Sequence, residues 1–402
     1  MQGFFTKKST ESKSKMGGKS LSCISCGLYV NSINPRMKPF GNFKKQILNI
    51  GSFPTSLDDE KNKQWQGKAG KLILNTYQKY GIDLFEDCLN INAVNCRTVN
   101  KKPPTNLQIA CCRKRISKII KEYQPKIIVL FGKHALFSII GEQWKSNLGE
   151  LSKWTGYTIP DKDYKAWICP IEHPTNILFL ENNERLFWKH NIRKISELID
   201  KPLPRYHKPK IHIINENIHL LKEIKSDMIS IDYETTGLKP HAKGHEIVCC
   251  SVSPNENEAY VFTIPKDKTK LQPFFDLLTD PTIMKTAHNM KYEQTWTEYI
   301  FGVKIQNWAW DTMLAAHTLN NKPGITGLKF QTYTNFGIAD YSSEVSPYLQ
   351  AKDTNSLNKI KELMSTNEGK EKVMKYCAYD TIYQFRLMKL QTKQIDYDFL
   401  PF

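Results

Sequence analysis

At 402 residues the chain is too long for one ordinary domain, and two or three are expected. Its content of 40% hydrophobic and 11% aromatic residues suffices for real cores, yet no run of about 18 apolar residues exists to cross a membrane. A formal net charge of +17 favours a polyanionic partner, nucleic acid before any other.

Residues 1–20 are polar and rich in Lys and Ser, without an apolar signal segment, and read as a disordered basic arm. With no secretory signal, ten cysteines indicate reduced thiols or a metal site in a cytoplasm rather than a disulfide framework. Cys23-Ile-Ser-Cys26 opens the folded sequence. Residues 46–51 read as a strand stopped by Gly51, residues 52–67 as a polar loop, and a helix begins at Gly67. Leu89–Asn95 is strand-like, Asn106–Tyr123 an amphipathic helix, and Pro125–Gly132 a buried strand followed by a helix. One more strand starts at Ala166, and a helix from about 183 to 199 closes the region. Strands alternating with helices predict a parallel α/β/α sandwich over residues 21–200.

The loop from Gly51 to Gly70, the Asn92-Ala-Val-Asn-Cys-Arg97 stretch and Glu172-His-Pro-Thr175 resemble, in order, motifs of the iron–sulfur (family 4) uracil-DNA glycosylases. The resemblance implies a base-binding site formed by Ser52, Asp58, Trp65, Asn92 and His173. It also implies a [4Fe–4S] cluster on Cys23, Cys26, Cys96 and Cys112, with Cys111 one residue away as an alternative. Four thiolates from separate segments suit Fe–S or tetrahedral Zn²⁺ equally well. Cys88, Cys169, Cys249, Cys250 and Cys377 lack such spacing and read as core residues. Ser52 stands where the family carries a carboxylate, and Trp65 where it carries the Phe that stacks on a flipped base. An impaired glycosylase is therefore expected, kept for DNA binding or base inspection.

Residues 201–210, basic and Pro-rich, read as a linker to a second domain over 211–402. There an apolar run enters Asp232-Tyr-Glu234, and residues two apart on a strand share a face. Two such carboxylates suit a hard cation, Mg²⁺ or Mn²⁺. A hairpin follows over 245–264. Then come a short strand ending at His288-Asn289, a helix turning Glu293 toward the sheet, and a helix capped by Asp311. Tyr376 and Asp380, four apart, share a helix face. His317 reads as a packed helix residue.

These motifs, in this order, resemble the DEDDy 3′-5′ proofreading exonuclease domain of family A (DNA polymerase I type) polymerases, on a ribonuclease-H-like fold. The resemblance implies catalysis by Asp232, Glu234, Glu293, Tyr376 and Asp380, with two metal ions on Asp232, Glu234 and Asp380. His288, Asn289 and Lys291 would line a channel for single-stranded 3′ ends. Glu293 departs from the family's Asp by one methylene. Certain bacteriophage polymerases place a glycosylase-like region before this domain, so the resemblance also implies a role in phage DNA replication in the host cytoplasm. A separate DNA polymerase subunit would supply synthesis. The competing expectations are a non-catalytic DNA-binding accessory subunit and an active repair glycosylase with an end-processing nuclease.

Overall fold

The computed structural model describes residues 22–98, 100, 102–144 and 147–395 (side chains at 182–184 excepted) and two short paired strands, β1 (Lys15–Met16) and β2 (Lys19–Ser20). The rest of the expected basic arm lies outside the described residues. The chain divides into two compact units, Met1–Pro204 and Arg205–Phe402. No described helix is long and apolar enough to cross a membrane.

The first unit is built on a five-stranded sheet in the order β4-β3-β5-β7-β6, from β3 (Ile47–Gly51), β4 (Cys88–Asn92), β5 (Ile127–Phe131), β6 (Ile159–Asp161) and β7 (Ala166–Ile171). Every residue of these strands is buried, as expected where helices cover both faces. Four strands are parallel. The edge strand β6, absent from the sequence reading, runs antiparallel to β7, so the sheet is parallel-rich rather than wholly parallel. The polar loop expected over 52–67 contains a short helix, Ser56–Lys61, held by a capping box between Thr55 and Asp58. The chain leaves β3 to opposite sides for β4 and β5. An open α/β sheet forms its binding crevice at such a switch point, beyond the carboxyl ends of the strands.

The second unit carries a six-stranded sheet, β13-β12-β9-β10-β11-β8, from β8 (Lys210–Ile213), β9 (Met228–Thr235), β10 (Ile247–Asn255), β11 (Glu258–Thr263), β12 (Met284–Ala287) and β13 (Trp308–Asp311). The central β9-β10-β11 meander is antiparallel, whereas β12 is parallel to β9 and β8 to β11. This is a ribonuclease-H-like arrangement. Alternation along β9 sends Ile229, Ile231 and Tyr233 into a core with Phe274, Leu277 and Trp296. The opposite face turns Ser230, Asp232 and Glu234 toward the helix Asn367–Gln391. Beneath that helix the packing is partly polar: Ser230 donates to Gln384 Oε1 at 2.8 Å, and the hydroxyls of Ser251 and Thr381 lie 2.8 Å apart.

Candidate functional sites

In the second unit, β9 ends at the carboxylate group. Asp232, Glu234 and the thiol of Cys377 bring their ligand atoms within 4.8 Å of one another. Gln384 Nε2 donates to Asp232 Oδ1 at 3.0 Å, and Cys377 Sγ lies 3.7 Å from Asp232 Oδ2. The positions 377, 380, 381 and 384 fall on one face of a helix. Asp380, from that face, has its carboxylate bound by Lys329 Nζ at 3.0 and 3.1 Å and by the Tyr341 hydroxyl at 2.5 Å. The same Lys329 donates to the Tyr376 hydroxyl at 2.5 Å.

Glu293 is buried on the helix Met290–Phe301, and its Oε2 has no hydrogen-bond partner among the described residues. Burial pushes the carboxyls of Asp232, Glu234 and Glu293 well above the usual range. The Asp380 charge adds to this at Asp232, and the Asp232 charge at the other two. Asp232 and Glu234, desolvated side by side, are donors that suit a divalent cation, while Glu293 and Asp380 lie outside their 4.8 Å group. A cavity of about 410 Å³ opens beside Glu234, walled by Gly237, Leu238, Tyr292, Leu349 and Asn358.

Several expectations change here. Asp311 caps its helix as anticipated and is saturated, accepting from the backbone of Asn289, Met290, Met313 and Leu314 at 2.9–3.2 Å. His288 is half-buried. Its ring turns inward to the Thr312 hydroxyl at 2.8 Å, and burial brings it down to about 4. Asn289 caps the helix from a left-handed backbone at φ 76°, and Lys291 is exposed. His317 is exposed rather than packed, because it falls on the outer face of its short helix. Cys377 is buried in the core, as expected, and helical spacing from Asp380 and Gln384 also places it against Asp232. Lys329, Tyr341, Cys377 and Gln384 escaped the sequence reading. Only the spacing of 377 and 384 around Asp380 carried a signal.

In the first unit, Trp65, Asn92 and His173 converge at the carboxyl ends of β3, β4 and β7. With Phe53, Asp58 and Leu178 they line a cavity of about 220 Å³. Trp65 lies 5.9 Å from His173, ring centre to ring centre. Close backbone approach makes this packing depend on glycine. A Cβ on Gly51 would stand 2.4 Å from Asn92 Oδ1, and one on Gly132, at φ +84°, 2.9 Å from His173 Cβ. Burial brings His173 down to about 4, so it is neutral at pH 7.

Ser52 does not line the cavity but bonds His134 Nδ1 at 2.5 Å, a partner 82 residues away with no local signal. The Asp58 carboxylate is consumed locally, accepting from the Thr55 amide and hydroxyl and from the Gln66 amide at 2.7–2.9 Å. Asp59 accepts from the amides of Ile33 and Asn34.

Cys23, Cys26, Cys96, Cys111 and Cys112 surround a small void of about 40 Å³, with Arg36 and Arg115 at its wall. Cys96 Sγ accepts the Arg36 amide at 3.2 Å, and burial pushes the Cys112 thiol up to about 12. Cys112 feels the charges of Cys26, Cys96 and Cys23 together. Cys88, Cys169, Cys249 and Cys250 are buried, as expected.

Residues 38–193 match the family model of the uracil DNA glycosylase superfamily, and residues 212–396 that of a 3′-5′ exonuclease. The chain joins a uracil-DNA-glycosylase-like domain to a 3′-5′ exonuclease domain. It is thus a hydrolase acting on nucleic acid, with DNA as a substrate. Among curated relatives, the type-4 uracil-DNA glycosylase of Sulfurisphaera tokodaii is 28% identical over 198 residues, spanning 48% of this chain and 87% of the relative. That of Archaeoglobus fulgidus is 27% identical over 191 residues, spanning 46% and 92%. Among solved structures, Brucella melitensis NrnC is 22% identical over 48% of this chain and 83% of its own, at a TM-score of 0.36. Escherichia coli RNase D is 17% identical over 46% and 45%, at 0.35.

Proposed function

We propose that this chain is a two-metal 3′-5′ exonuclease acting on single-stranded DNA ends, with Asp232, Glu234 and Asp380 as ligands for Mg²⁺ or Mn²⁺. The observation that carries this reading is the carboxylate group at the end of β9, backed by Glu293 with its unpartnered oxygen. Ions bound there would supply a clamp on the scissile phosphate and a more acidic water. The chain's own residues do the rest. Gln384 fixes the Asp232 carboxylate, and Tyr341 and Lys329 hold Asp380. Tyr376, accepting from Lys329, keeps its own proton to give and orients the attacking water. Labelled single-stranded DNA should show Mg²⁺-dependent laddering from the 3′ end, abolished by EDTA and by Asp232→Ala. Equal cleavage by the variant would overturn the assignment.

The glycosylase-like domain, in this reading, binds DNA with impaired base excision. Two observations support it: Ser52 is tied to His134, and the Asp58 carboxylate serves as a helix cap. An active glycosylase is the second reading, favoured by the cavity that retains Trp65, Asn92 and His173. Release of free uracil from uracil-containing DNA in EDTA would establish that reading instead.

In this reading Cys23, Cys26, Cys96 and Cys112 hold a [4Fe–4S] cluster, supported by the gathering of five cysteines around one void. Tetrahedral Zn²⁺ needs sulfurs about 3.8 Å apart, whereas the only metal-binding group among the described residues with all donors within 4.8 Å is the Asp232 one. Cys111 lines the same void and stays the alternative fourth ligand. Iron and sulfide analysis of anaerobically purified protein tests the cluster. We further place the chain in bacteriophage DNA replication in the host cytoplasm, proofreading for a separate DNA polymerase. Failure to co-elute with the polymerase from the same genome would remove that partner.

A further inference from the structure

Lys329 stands out because it touches two functional groups at once. Its Nζ lies 3.1 and 3.0 Å from the two oxygens of Asp380 and 2.5 Å from the Tyr376 hydroxyl. It sits 4.0 Å from the Tyr376 ring centre and 4.6 Å from that of Tyr341. The backbone that carries it is fixed. Gly327 caps the helix Leu328–Phe336, whose Leu328 and Phe330 are buried on either side of the lysine. The side chain is 29% exposed, so its ammonium reaches the group from the open side. Its charge acts on Asp232 and Glu234 as well.

An ammonium on both oxygens of a carboxylate fills the space that a hard divalent ion takes when it binds the same group. The two cannot both hold Asp380 at full contact. The phenol contact makes no such demand, because the Tyr376 hydroxyl is not a metal ligand in the reading above.

We propose that Lys329 is a positioning residue with two successive partners. It is the internal counter-ion of Asp380 until a divalent ion displaces it, and it then holds the Tyr376 hydroxyl on the attacking water. This rests on the two-metal reading of the site. The lysine keeps the carboxylate group assembled before the ion arrives, at the cost of a higher metal requirement.

The test uses the full chain with Lys329→Met, which keeps the stem and removes the charge, and Lys329→Arg. Thermal melts establish that each variant is folded. Mn²⁺ binding is measured by electron paramagnetic resonance without DNA, and exonuclease rates are measured across a Mg²⁺ titration. Lys329→Met should bind Mn²⁺ about threefold or more tightly, because the competing cation is gone. At saturating Mg²⁺ its kcat should fall about tenfold with KM for DNA little changed, since Tyr376 is no longer held. Lys329→Arg should recover most of the kcat and the wild-type metal requirement. Tyr376→Phe combined with Lys329→Met should lose no more than Tyr376→Phe alone.

Unchanged or weaker Mn²⁺ binding by a folded Lys329→Met overturns the proposal, as does an additive double variant. If Lys329→Met does not fold, Lys329→Arg with wild-type melting but without activity, or with a changed Mn²⁺ affinity, overturns it equally. A wild-type chain without metal-dependent cleavage would instead sink the nuclease reading itself, so the two failures are distinguishable.

Discussion

Gln384 donates to Asp232 Oδ1 at 3.0 Å while its own Oε1 accepts from Ser230 at 2.8 Å, so one amide joins the strand to the helix at the Asp232 carboxylate. Replacing it by Leu leaves Ser230 buried without a partner and frees the Asp232 side chain to rotate. Gln384→Leu should lose about 1–3 kcal/mol of stability. Its exonuclease rate should fall about tenfold or more even where the protein is folded. Denaturant unfolding and single-turnover cleavage measure the two separately. An unchanged cleavage rate would show that Asp232 needs no such support.

Ser52 offers a gain-of-function test. It occupies the position where the resembled glycosylases carry a carboxylate, and it is bonded to a neutral His134 that burial holds down at about 4. Ser52→Glu should raise uracil release from single-stranded DNA about tenfold or more over wild type if the rest of the cavity is competent. No gain, with the protein folded, would place the defect elsewhere in the cavity.

Gly51→Ala tests the cavity without removing a polar group. The added Cβ would meet Asn92 Oδ1 at 2.4 Å and the Trp65 ring at 2.9 Å, so both side chains must give way into the cavity they line. The variant should lose about 1–3 kcal/mol and bind uracil-containing DNA more weakly, while the exonuclease rate on short DNA stays at the wild-type value. Unfolding curves and a fluorescence binding titration check both.

Acid should destabilise the protein through three histidines. Burial lowers His134, His173 and His288 from about 6.5 to about 4, with nearby Lys133 adding to the effect at His134 and His134 at His173. Between those values the unfolded chain binds more protons than the folded one. The stability they give is therefore complete above about pH 6.5 and is lost as pH falls toward 4. The raised carboxyls of Asp232, Glu234 and Glu293 act in the opposite sense over the same range, so the histidine share is read by difference, in melting temperature between pH 7 and pH 5. A His134→Gln/His173→Gln double variant should show a shallower slope. An equal slope would mean other groups govern the acid response.

Much of this molecule was legible before its structure. Asp232 and Glu234 could be placed on one strand face because the period of two is obligatory. Tyr376 and Asp380 could be placed on one helix face for the parallel reason. Strands such as Ile127–Phe131 announced themselves as continuous apolar runs, which only a doubly covered sheet produces. What escaped depends on contacts between distant segments. Nothing near Lys329 in the chain signals that its ammonium will meet Asp380, 51 residues away. Likewise, the Ser52–His134 pair exists only because β3 and β5 are neighbours. The edge strand β6 has three residues, too few to show a period. The inward turn of His288 likewise depends on a distant partner, Thr312.

The hydrogen-bonded seam beneath the helix Asn367–Gln391 has a consequence for alignment. Apolar packing alone would tolerate a shift of that helix along the sheet by one turn, since one greasy contact substitutes for another. Ser230 with Gln384 and Ser251 with Thr381 do not allow such a substitution, because a shifted helix would strand buried polar atoms on both sides. The seam acts as an indexing key. It sets where along β9 and β10 the helix must stop, and thereby delivers Tyr376 and Asp380 opposite Asp232.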